Sequence, residues 1–400
     1  MLVLLLNAGS SSLKFSLMES TNVSVRAQGM ADWSAAVTRY RYSAEGGAER
    51  TEQVTWRGPA ATVRRALHDL THADPIAVPE LAALTAVGHR VVHGGDFTAA
   101  VKITPEIREK LAALTDVAPL HNPPSLEALA AAEAELPNVP QLAIFDTAFH
   151  ATIPPEAHRY PVPESWARDW GIRRYGFHGL SHAYCAKRAA AMMERPADGL
   201  RLVICHLGHG CSATAVRSGR SIDTTMGFTP LEGLMMATRS GSIDPGIVLH
   251  VQQRHGLTPQ QVDIILNRQS GLLGMSGVSG DMREVLAATR TGNEQAHLAL
   301  EVYTHRVRQA IGALAATLGG VDALIFTGGV GENAAEVRAK VCTGLEFMGL
   351  KLDTEINGSC RPDADVAQRT SRGRILVIAA REDLSMLEEV IRVLGTPKQV

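Results

Sequence analysis

The sequence has 400 residues, a length that predicts two domains at ~100 to 200 residues per domain. It carries 39 Lys+Arg and 41 Asp+Glu, and the net charge of -2 excludes the basic excess typical of nucleic-acid and membrane-surface binders. The five cysteines form no CxxC pair, which argues against a disulfide framework or zinc ribbon and favours a reducing, cytoplasmic setting.

The N-terminal segment begins with an apolar run at residues 2–6. Because a secretory signal needs ~7 to 15 apolar residues behind a basic start, this run predicts a buried strand instead. A loop rich in Gly and Ser follows, and residues 13–18 predict a second strand. No stretch reaches the ~18 to 20 apolar residues of a membrane span, so we expect a soluble protein without a membrane partner.

Three further features are predicted in the first half of the chain. Residues 41–58 alternate polar and apolar side chains around two glycines, which predicts an exposed hairpin. Ser125 follows two prolines and predicts the N-cap of a helix over residues 126–136. Prolines at 154, 155, 161 and 163 interrupt regular structure, which makes this region the best candidate linker between two halves.

The second half of the chain begins by repeating the first. An apolar run at residues 202–205, a loop containing His, Gly and Ser, and a predicted strand at 213–216 follow the same order as the N-terminal segment. This similarity, at a separation of about 200 residues, suggests an ancient duplication of one strand-turn-strand unit.

The last third of the chain predicts helices and strands in alternation. An Ala- and Leu-rich pattern predicts a helix over residues 294–318, ended by two glycines. The apolar run at 323–326 predicts a strand, followed by a glycine turn and a helix over 334–344. Short apolar strands alternating with amphipathic helices indicate an α/β fold.

Two of the glycine-rich loops suit phosphate binding. Residues 7–14 and 206–212 each follow an apolar strand, and glycine lets backbone N–H groups approach an anion while hydroxyls add donors. The sequence has no GxxxxGK[ST], no HRD loop and no GxGxxG after a strand, so P-loop, protein-kinase and Rossmann functions lack their motifs. A Gly-Ser turn that merely connects strands remains the alternative for either loop alone.

Five single residues stand where site chemistry is common. Arg90 and Arg239 lie in glycine-containing segments, and a guanidinium suits carboxylate or phosphate oxygens. Asp146 and Glu382 follow apolar runs, and strand ends often deliver catalytic groups. His178 lies between an aromatic residue and a glycine. The alternatives are surface arginines paired with acids and a buried, hydrogen-bonded histidine.

A mixed group of cysteines and histidines lies in the second glycine-rich segment. Its members are Cys205, His206, His209 and Cys211. Their spacing matches no common zinc site, and adjacent side chains of a strand point to opposite faces. We therefore expect no metal site from these four residues.

Longer motifs extend through the whole chain. They read NAGSSSLK at 7–14, HRVVHGG at 89–95, PLHNPP at 119–124, FDTAFH at 145–150, YGFHG at 175–179, MGFTPLEGLMM at 226–236, TRSG at 238–241 and GGVGEN at 328–333. In this order, from residue 3 to about 390, they resemble the acetate kinase family. Several motifs are seven or more residues long, so a chance similarity is negligible.

The resemblance implies an α/β fold of two duplicated actin-like (ribonuclease H-like) domains with ATP in the cleft between them. The N-terminal domain would comprise residues 1–150 and 384–400, and the C-terminal, nucleotide-binding domain residues 151–383. The implied reaction is a reversible, direct in-line phosphoryl transfer from ATP to acetate, giving acetyl phosphate and ADP. Mg²⁺, or Mn²⁺, would be the cofactor, and the chain would form a homodimer.

The resemblance also implies roles for individual residues. The catalytic groups would be Asp146 as acid, His178 as stabiliser of the phosphoryl group, and Arg90 and Arg239 as its cations. The metal neighbourhood would contain Asn7 and Glu382. The apolar pocket for the methyl group would contain Val92, Leu120, Phe177 and Pro230, beside Arg90. The nucleotide would be bound by Lys14, Ser10, Ser12, His206, Leu207, Gly208, His209, Gly210, Asp281, Met282, Arg283, Gly329, Val330, Gly331, Glu332 and Asn333.

The chemistry of a carboxylate nucleophile limits what such a site must supply. A carboxylic acid of pKa ~4 to 5 is already ionised at pH 7, so its attack on phosphorus needs no general base. Two anions must meet instead, and cations around the transferring group relieve their repulsion. We therefore expect Asp146 to fix an arginine and a metal-bound water rather than to transfer a proton in the forward step.

Two residues depart from the usual pattern of the family. His209 stands where Asn is usual, and because histidine titrates near neutrality, nucleotide affinity is expected to depend on pH. Ser242 stands where Asp is usual, which removes one negative charge near Arg239. Both changes bear on the preference for the phosphate donor and not on the reaction type.

Three other functions are compatible with parts of this pattern. Propionate or butyrate kinase is the nearest, and pocket volume at Val92 decides it, since one methylene changes discrimination by ~1 to 3 kcal/mol. A filament-forming or chaperone ATPase would have no use for two arginines and an apolar pocket. Sugar kinases use a carboxylate base and polar groups for hydroxyls, which the predicted Val, Leu, Phe and Pro set does not supply.

Overall fold

Two compact units make up the chain. The computed structural model describes residues 1–115 and 122–395. One unit comprises Met1–Ala148 together with the chain from Arg381 onward, and the other comprises Phe149–Ala380. Within the described ranges, no helix combines the length and the apolar character needed to cross a membrane.

The strands and helices follow one another in runs, beginning with five consecutive strands. The strands are β1 (Leu2–Ala8), β2 (Ser12–Glu19), β3 (Ser24–Asp32), β4 (Thr38–Ala44), β5 (Arg50–Val54), β6 (Ala86–Val91), β7 (Val101–Lys102), β8 (Gln141–Phe145), β9 (Arg201–Leu207), β10 (Cys211–Arg217), β11 (Arg220–Thr224), β12 (Ala323–Thr327), β13 (Ala364–Asp365) and β14 (Arg374–Val377). The helices are α1 (Pro59–His72), α2 (Pro105–Ala113), α3 (Asn122–Glu135), α4 (Pro155–His158), α5 (Glu164–Trp170), α6 (Gly179–Met192), α7 (Pro245–His255), α8 (Pro259–Arg268), α9 (Gly271–Ser276), α10 (Met282–Arg290), α11 (Glu294–Leu318), α12 (Gly328–Asn333), α13 (Ala335–Cys342), α14 (Thr354–Ser359) and α15 (Glu382–Leu394).

The sheet of the first unit joins an antiparallel half to a parallel half. Its strand order is β5-β4-β3-β2-β1-β6-β8-β7. β1 is antiparallel to β2 and parallel to β6, which is parallel to β8. Because β1 is central and covered on both faces, its run of apolar residues is buried without alternation. Leu4 and Leu6 share one core with Val63 of α1 and Ala128 of α3.

The sheet of the second unit repeats this plan. Its order is β11-β10-β9-β12-β14-β13. β9 is antiparallel to β10 and parallel to β12, which is parallel to β14. The predicted α/β fold is confirmed, and the repeated strand-turn-strand segment occupies the same place in each sheet.

Local signals placed two elements correctly. The helix predicted over residues 294–318 is α11, which Asn293 caps by accepting from the Ala296 N–H at 2.9 Å. It ends at Gly319, whose φ of 70° is the left-handed conformation that glycine adopts without strain. The predicted hairpin over 41–58 corresponds to the antiparallel β4-β5 pair, but it begins at Thr38 and ends at Val54, and Tyr42 of β4 is buried rather than exposed.

The predicted start of helix α3 is wrong. The helix begins at Asn122, and the two prolines lie in its first turn rather than before it. Proline is tolerated there because the first N–H groups of a helix have no intrahelical acceptor. Ser125 is therefore not the N-cap; it is buried, with its hydroxyl 3.5 Å from the Ala8 carbonyl oxygen.

Three further expectations need correction. The glycine segment predicted as a turn is the short helix α12, and the following helix begins at Ala335. The apolar run before Glu382 predicts a strand over residues 375–380, but that strand, β14, ends at Val377. The proline-rich region contains α4, which starts at one of its prolines, and lies inside the second unit, so its prolines open a helix as well as interrupt structure.

Candidate active site

A cluster of polar side chains lies at one edge of the first sheet. Arg90 of β6 donates from Nε to Asp146 Oδ1 at 3.0 Å and also from Nη2 to Asp146 Oδ2. Arg90 Nη1 donates to Asn7 Oδ1 at 2.9 Å, and Asn7 Nδ2 donates to Glu382 Oε2 at 3.1 Å. The four residues are far apart in sequence, and they form one continuous hydrogen-bonded chain.

The parallel strands explain why these four side chains meet. Asn7, Arg90 and Asp146 stand at or just after the carboxyl ends of β1, β6 and β8. Neighbouring parallel strands end at the same edge of a sheet, which is where α/β proteins place their sites. Glu382 is the first residue of α15, where the positive end of the helix dipole favours a carboxylate.

Burial makes the charges of this cluster mutually dependent. The side chain of Asp146 is 1% exposed and that of Arg90 is 15% exposed. Burial alone would lower the pKa of Arg90, but the carboxylates of Asp146 and then Glu382 raise the pKa above its ordinary value. The two-point contact fixes the plane of the guanidinium, as expected for a residue held by Asp146.

The remaining residues predicted for the first unit are placed as follows. Lys14 pairs with Asn7 across the β1-β2 hairpin, and its side chain is exposed. Ser10 and Ser12 lie in or beside the tight turn of that hairpin, which the Gly9 N–H closes on the Ser12 carbonyl at 2.8 Å. Val92 is buried just after β6. Leu120 lies outside the described residues.

A group of histidines and serines lies at the corresponding edge of the second sheet. His178 precedes α6, and its Nδ1 lies 2.9 Å from the Ser212 hydroxyl oxygen. The His178 ring stacks on His206 with centroids 4.3 Å apart. His206 Nδ1 in turn lies 2.8 Å from the Ser181 hydroxyl oxygen. The structure therefore brings together His178 and His206, both predicted site residues, and Ser212, from the end of the loop predicted to bind phosphate. It adds Ser181, for which the sequence predicts no role.

Arg239 joins this group through the glycine loop. A methyl group placed on Gly210 would lie 3.3 Å from both Arg239 Nη1 and His178 Nε2, so the two side chains converge where glycine has none. Arg239 Nη1 donates to the Pro230 carbonyl at 3.0 Å. No carboxylate pairs with Arg239 among residues 1–115 and 122–395, and burial lowers its pKa from the ordinary value. Phe177, next to His178, is buried, as is Pro230.

A cavity of about 1030 Å³ opens beside this loop in the second unit. Eight predicted nucleotide-binding residues line it, namely Gly208, His209, Asp281, Met282, Arg283, Gly329, Val330 and Asn333. Five lining residues were missed, namely Thr238, Gly280, Leu286, Arg290 and Ala334. Thr238 belongs to the motif TRSG at 238–241 but had no predicted role. Leu286 follows Met282 by one turn of α10, so a search for helical period could have found it.

Glu332 is turned away from this cavity. Its Oε1 accepts the N–H groups of Gly328 and Ala380, each at 2.9 Å. Gly331 is buried, and Leu207 is buried within β9. Glu332 therefore ties the start of α12 to the chain that follows β14.

A buried arginine that the sequence analysis missed supports the same helix. Arg338 is 2% exposed and donates to the carbonyls of Gly331 and Glu332 at 2.9 and 2.8 Å. Its Nε donates to Asn357 Oδ1 at 2.7 Å. Cations at the carbonyl end of a helix are favourable. No sequence signal distinguishes Arg338 from a surface arginine, because only packing shows its burial.

The donor set at Asn7 and Glu382 fits a hard divalent cation. Mg²⁺ takes oxygen ligands and is commonly held by one or two carboxylates plus phosphate oxygens and water. Within the described ranges, no group of three or more His, Cys, Asp or Glu side chains forms a complete metal cage.

In the Cys/His group of the second unit, Cys211 Sγ lies 3.3 Å from the Tyr303 hydroxyl.

Comparisons with known proteins agree with this arrangement. Residues 2–388 match the model of the acetokinase family. The acetate kinase of Microcystis aeruginosa is 46% identical over 399 residues, covering 97% of this chain and 98% of that protein. The acetate kinase of Synechocystis is 46% identical over 397 residues, covering 96% of each protein.

Solved structures share the fold over nearly the whole chain. The crystal structure of Porphyromonas gingivalis acetate kinase has a TM-score of 0.90 at 38% identity, covering 98% of this chain and all of that one. A propionate kinase from Francisella tularensis has a TM-score of 0.89 at 36% identity, covering 97% and 98%. The predicted fold class, with two duplicated actin-like domains, is therefore confirmed.

Proposed function

The chain belongs to the acetokinase family, and from this premise we propose that it transfers the γ-phosphoryl group of ATP directly to the carboxylate of acetate, giving acetyl phosphate and ADP. The observation that carries the proposal is the convergence of Arg239 and His178 at Gly210, beside a cavity of about 1030 Å³. A cationic and an imidazole donor at the edge of a nucleotide-sized cavity suit a phosphoryl group in transfer.

The nucleotide is proposed to occupy that cavity. Its phosphates would meet the backbone of the loop at Gly208 and His209, and its nucleoside would lie against Asp281–Arg283 and Gly329–Asn333. Asp281 caps α10 by accepting the Arg283 N–H at 2.8 Å, which orders this wall. Gly331 and Glu332 would support nucleotide binding by stabilising α12 rather than by contacting the nucleotide.

The acceptor carboxylate is proposed to need cations and no base. It is ionised at neutral pH, so the residues must lower the repulsion between two anions and align them. Arg239 and His178 would donate to the equatorial oxygens of the phosphoryl group. Arg90, fixed by Asp146, would bind the carboxylate, and Asp146 would hold Arg90 rather than transfer a proton.

The metal neighbourhood is proposed to comprise Asn7 and Glu382, with Mg²⁺ or Mn²⁺. When bound, the ion would neutralise charge on the β- and γ-phosphates. Asn7 would orient both neighbours, since its amide contacts Arg90 through oxygen and Glu382 through nitrogen. Lys14, exposed opposite Asn7, and the hydroxyls of Ser10 and Ser12 would add donors to phosphate.

Apolar contacts with the methyl group are proposed to select acetate over longer carboxylic acids. The side chains proposed to contact the methyl group, Val92, Phe177 and Pro230, are each buried. Propionate is the second candidate because the propionate kinase of Francisella tularensis has the same fold at 36% identity. The two acids differ by one methylene, which is worth ~1 to 3 kcal/mol of discrimination.

We expect acetate to give the highest kcat/KM in an assay that couples ADP release to a visible signal. Acetate, propionate, butyrate and glycerol are compared at saturating ATP. Each added methylene is expected to lower kcat/KM by about 10-fold or more. Preference for propionate would assign the second candidate, and preference for glycerol would contradict the carboxylate mechanism altogether.

His209 is expected to make ATP binding tighter at low pH. The side chain of His209 is exposed to solvent. The protein atoms that partly surround its ring, and then the charge of Arg239, lower its pKa below 6.5. It is therefore neutral at pH 8 and gains charge only as the pH falls below 6.5, where an imidazolium attracts phosphate. The measured quantity is the KM for ATP of His209→Asn divided by the KM of the wild type. This ratio should rise by about 2- to 5-fold from pH 8 to pH 5.5, which corresponds to the free energy of an exposed ion pair.

The ratio cancels protonation of ATP itself, which changes binding equally in both proteins. His305→Asn, at an exposed position of α11, serves as the matched control and should leave the ratio unchanged with pH. A ratio for His209→Asn that does not change with pH would show that the ring stays away from the phosphates.

A homodimer in the cytoplasm is proposed for the assembled enzyme. α7 has no buried residue although it contains Ile247 and Leu249, which are 48% and 57% exposed. Exposed apolar side chains on an otherwise unburied helix suit an interface between two copies.

All five cysteines are free, and four of them are buried, as suits a reducing setting.

A further inference from the structure

A chain of three side chains lies behind His178 in the second unit. His182 Nε2 lies 2.8 Å from the Ser212 hydroxyl oxygen, and that oxygen lies 2.9 Å from His178 Nδ1. Ser212 and His182 are both fully buried. Ser212 is the last residue of the loop 206–212 that the sequence predicts to bind phosphate, whereas no role is predicted for His182. Both side chains are too deeply buried to contact a substrate, so they act through His178.

The hydroxyl of Ser212 stands between two ring nitrogens but carries a single proton. If both rings donated to Ser212, its own hydroxyl hydrogen would be left without an acceptor. If Ser212 donated to His182, a neutral His182 would carry its proton on Nδ1, which is buried and has no hydrogen-bond partner in the described structure. Buried donors without acceptors are rare in proteins.

The remaining arrangement satisfies every buried donor of the three residues. His182 Nε2–H donates to Ser212, and the Ser212 hydroxyl donates to His178 Nδ1. Only the lone pair of His182 Nδ1 is then unpaired. Burial, with smaller contributions from His150 and His206, keeps the pKa of His182 well below 6.5, so its ring is neutral and has one N–H to place.

We propose that His182 and Ser212 are positioning residues, which hold His178 as its Nε2–H tautomer through hydrogen bonds directed from His182 to Ser212 to His178. The inference rests on the proposed function, in which His178 contacts the phosphoryl group. It adds to that function the direction of the hydrogen bonds behind the contact.

The tautomer matters because of what lies on the other side of the ring. His178 Nε2 and Arg239 Nη1 converge at Gly210, each 3.3 Å from where a methyl group there would lie. With the proton on Nε2, both groups donate to an anion at this place, whereas a bare Nε2 would repel it. A neutral donor also avoids a second positive charge beside Arg239 and against the stacked ring of His206.

The backbone of His178 agrees with a precisely held ring. Its φ of 58° is left-handed, a conformation that non-glycine residues rarely adopt. The residue directly precedes α6, where a polar side chain often caps the helix, yet the His178 side chain makes no such bond. Strain of this kind clusters at functional sites.

The test reads the tautomers directly from the full-length protein labelled with ¹⁵N-histidine. Long-range ¹H–¹⁵N spectra distinguish protonated from bare ring nitrogens, and His178→Gln and His182→Gln assign the two signals. At pH 7.5 without substrates, both rings are expected to carry the proton on Nε2 and to have a bare Nδ1. A proton on Nδ1 of either ring, or a charged His178, would overturn the proposal.

Kinetics supply the second measurement. Ser212→Ala is expected to lower kcat by about 10²-fold, the cost of misplacing a positioned group, with little change in KM for ATP. Ser212→Thr restores a hydroxyl and should recover most of the loss. Thr214→Val is the matched control, since it removes a buried hydroxyl of the same strand that bonds Thr224 at 2.8 Å and no histidine. Equal activity of the alanine and valine variants would overturn the proposal.

The two measurements separate this inference from the proposed function. Failure to phosphorylate any carboxylate would refute the function and leave the tautomers readable. If Ser212→Ala does not fold, the spectrum of the unaltered protein still decides the direction of the hydrogen bonds.

Discussion

Replacing Arg239 with alanine is expected to lower kcat for acetyl phosphate formation by on the order of 10³-fold, as for other arginines that stabilise a phosphoryl group in transfer. The charge of Arg239 is available to an anion, because no carboxylate neutralises it in the described part of the chain. An interaction made only in the transition state lowers kcat and kcat/KM together. Steady-state kinetics with acetate and ATP measure both.

Controls separate charge, geometry and folding in this prediction. Arg239→Lys keeps the charge without the planar fork and should fall between the wild type and the alanine variant. Arg306→Ala removes an exposed arginine from α11 and should leave kcat unchanged. Arg239→Ala also loses the hydrogen bond to the Pro230 carbonyl, which lowers the free energy of unfolding by about 1 kcal/mol. Thermal unfolding measures this loss. A rise in KM for acetate at unchanged kcat would assign Arg239 to ground-state binding instead.

Breaking the Arg90–Asp146 pair is expected to impair both stability and rate. Removing either member takes the opposite charge of the pair away from a buried group, which costs about 3 to 5 kcal/mol of unfolding free energy. Arg90→Ala should also lower kcat by on the order of 10³-fold if its guanidinium touches the reacting groups. Urea unfolding and steady-state kinetics on the same preparations measure the two effects.

A double variant separates the effect of the pair from the effects of its two members. Arg90→Met combined with Asp146→Leu should be less destabilised than the sum of the single changes, since neither charge of the pair remains without the other. Its kcat should stay low, because the cation is missing. For Asp146→Asn, the pH profile of kcat tests the positioning role: loss of an ionisation seen in the wild type would show that Asp146 transfers a proton.

Much of the fold was predictable because its signals are local. Runs such as residues 2–6 and 323–326 are apolar without alternation, which marks strands buried on both faces, and each lies within an observed strand. The helix α11 was predicted to its residue, since Asn293 and Gly319 supply caps at both ends. The start of α3 was missed because proline both stops a preceding helix and opens a new one, and the sequence alone does not say which.

The kinds of residue at the candidate site were predictable from the sequence, but the contacts that they make were less so. Motifs selected eight residues that line the cavity, because glycine loops and helix starts mark where backbone N–H groups face outward. They also selected Glu332 for the nucleoside, yet its carboxylate binds two backbone N–H groups. Arg338 and Ser181 were missed, since nothing within a few residues of them indicates that they are buried. Ser212 was predicted to bind phosphate, yet its hydroxyl is buried between two histidine rings.

By itself, the sequence determined the α/β class, the repeated strand-turn-strand plan and the kinds of side chain available for phosphoryl transfer, because hydrophobic period, caps and glycine loops act over a few residues. Only the tertiary structure decided which side chains are partners. Arg90 and Asp146 are 56 positions apart and meet because β6 and β8 end at one edge. The direction of hydrogen bonds from His182 to His178 likewise depends on which buried donors packing leaves with an acceptor, and packing joins segments that are remote along the chain.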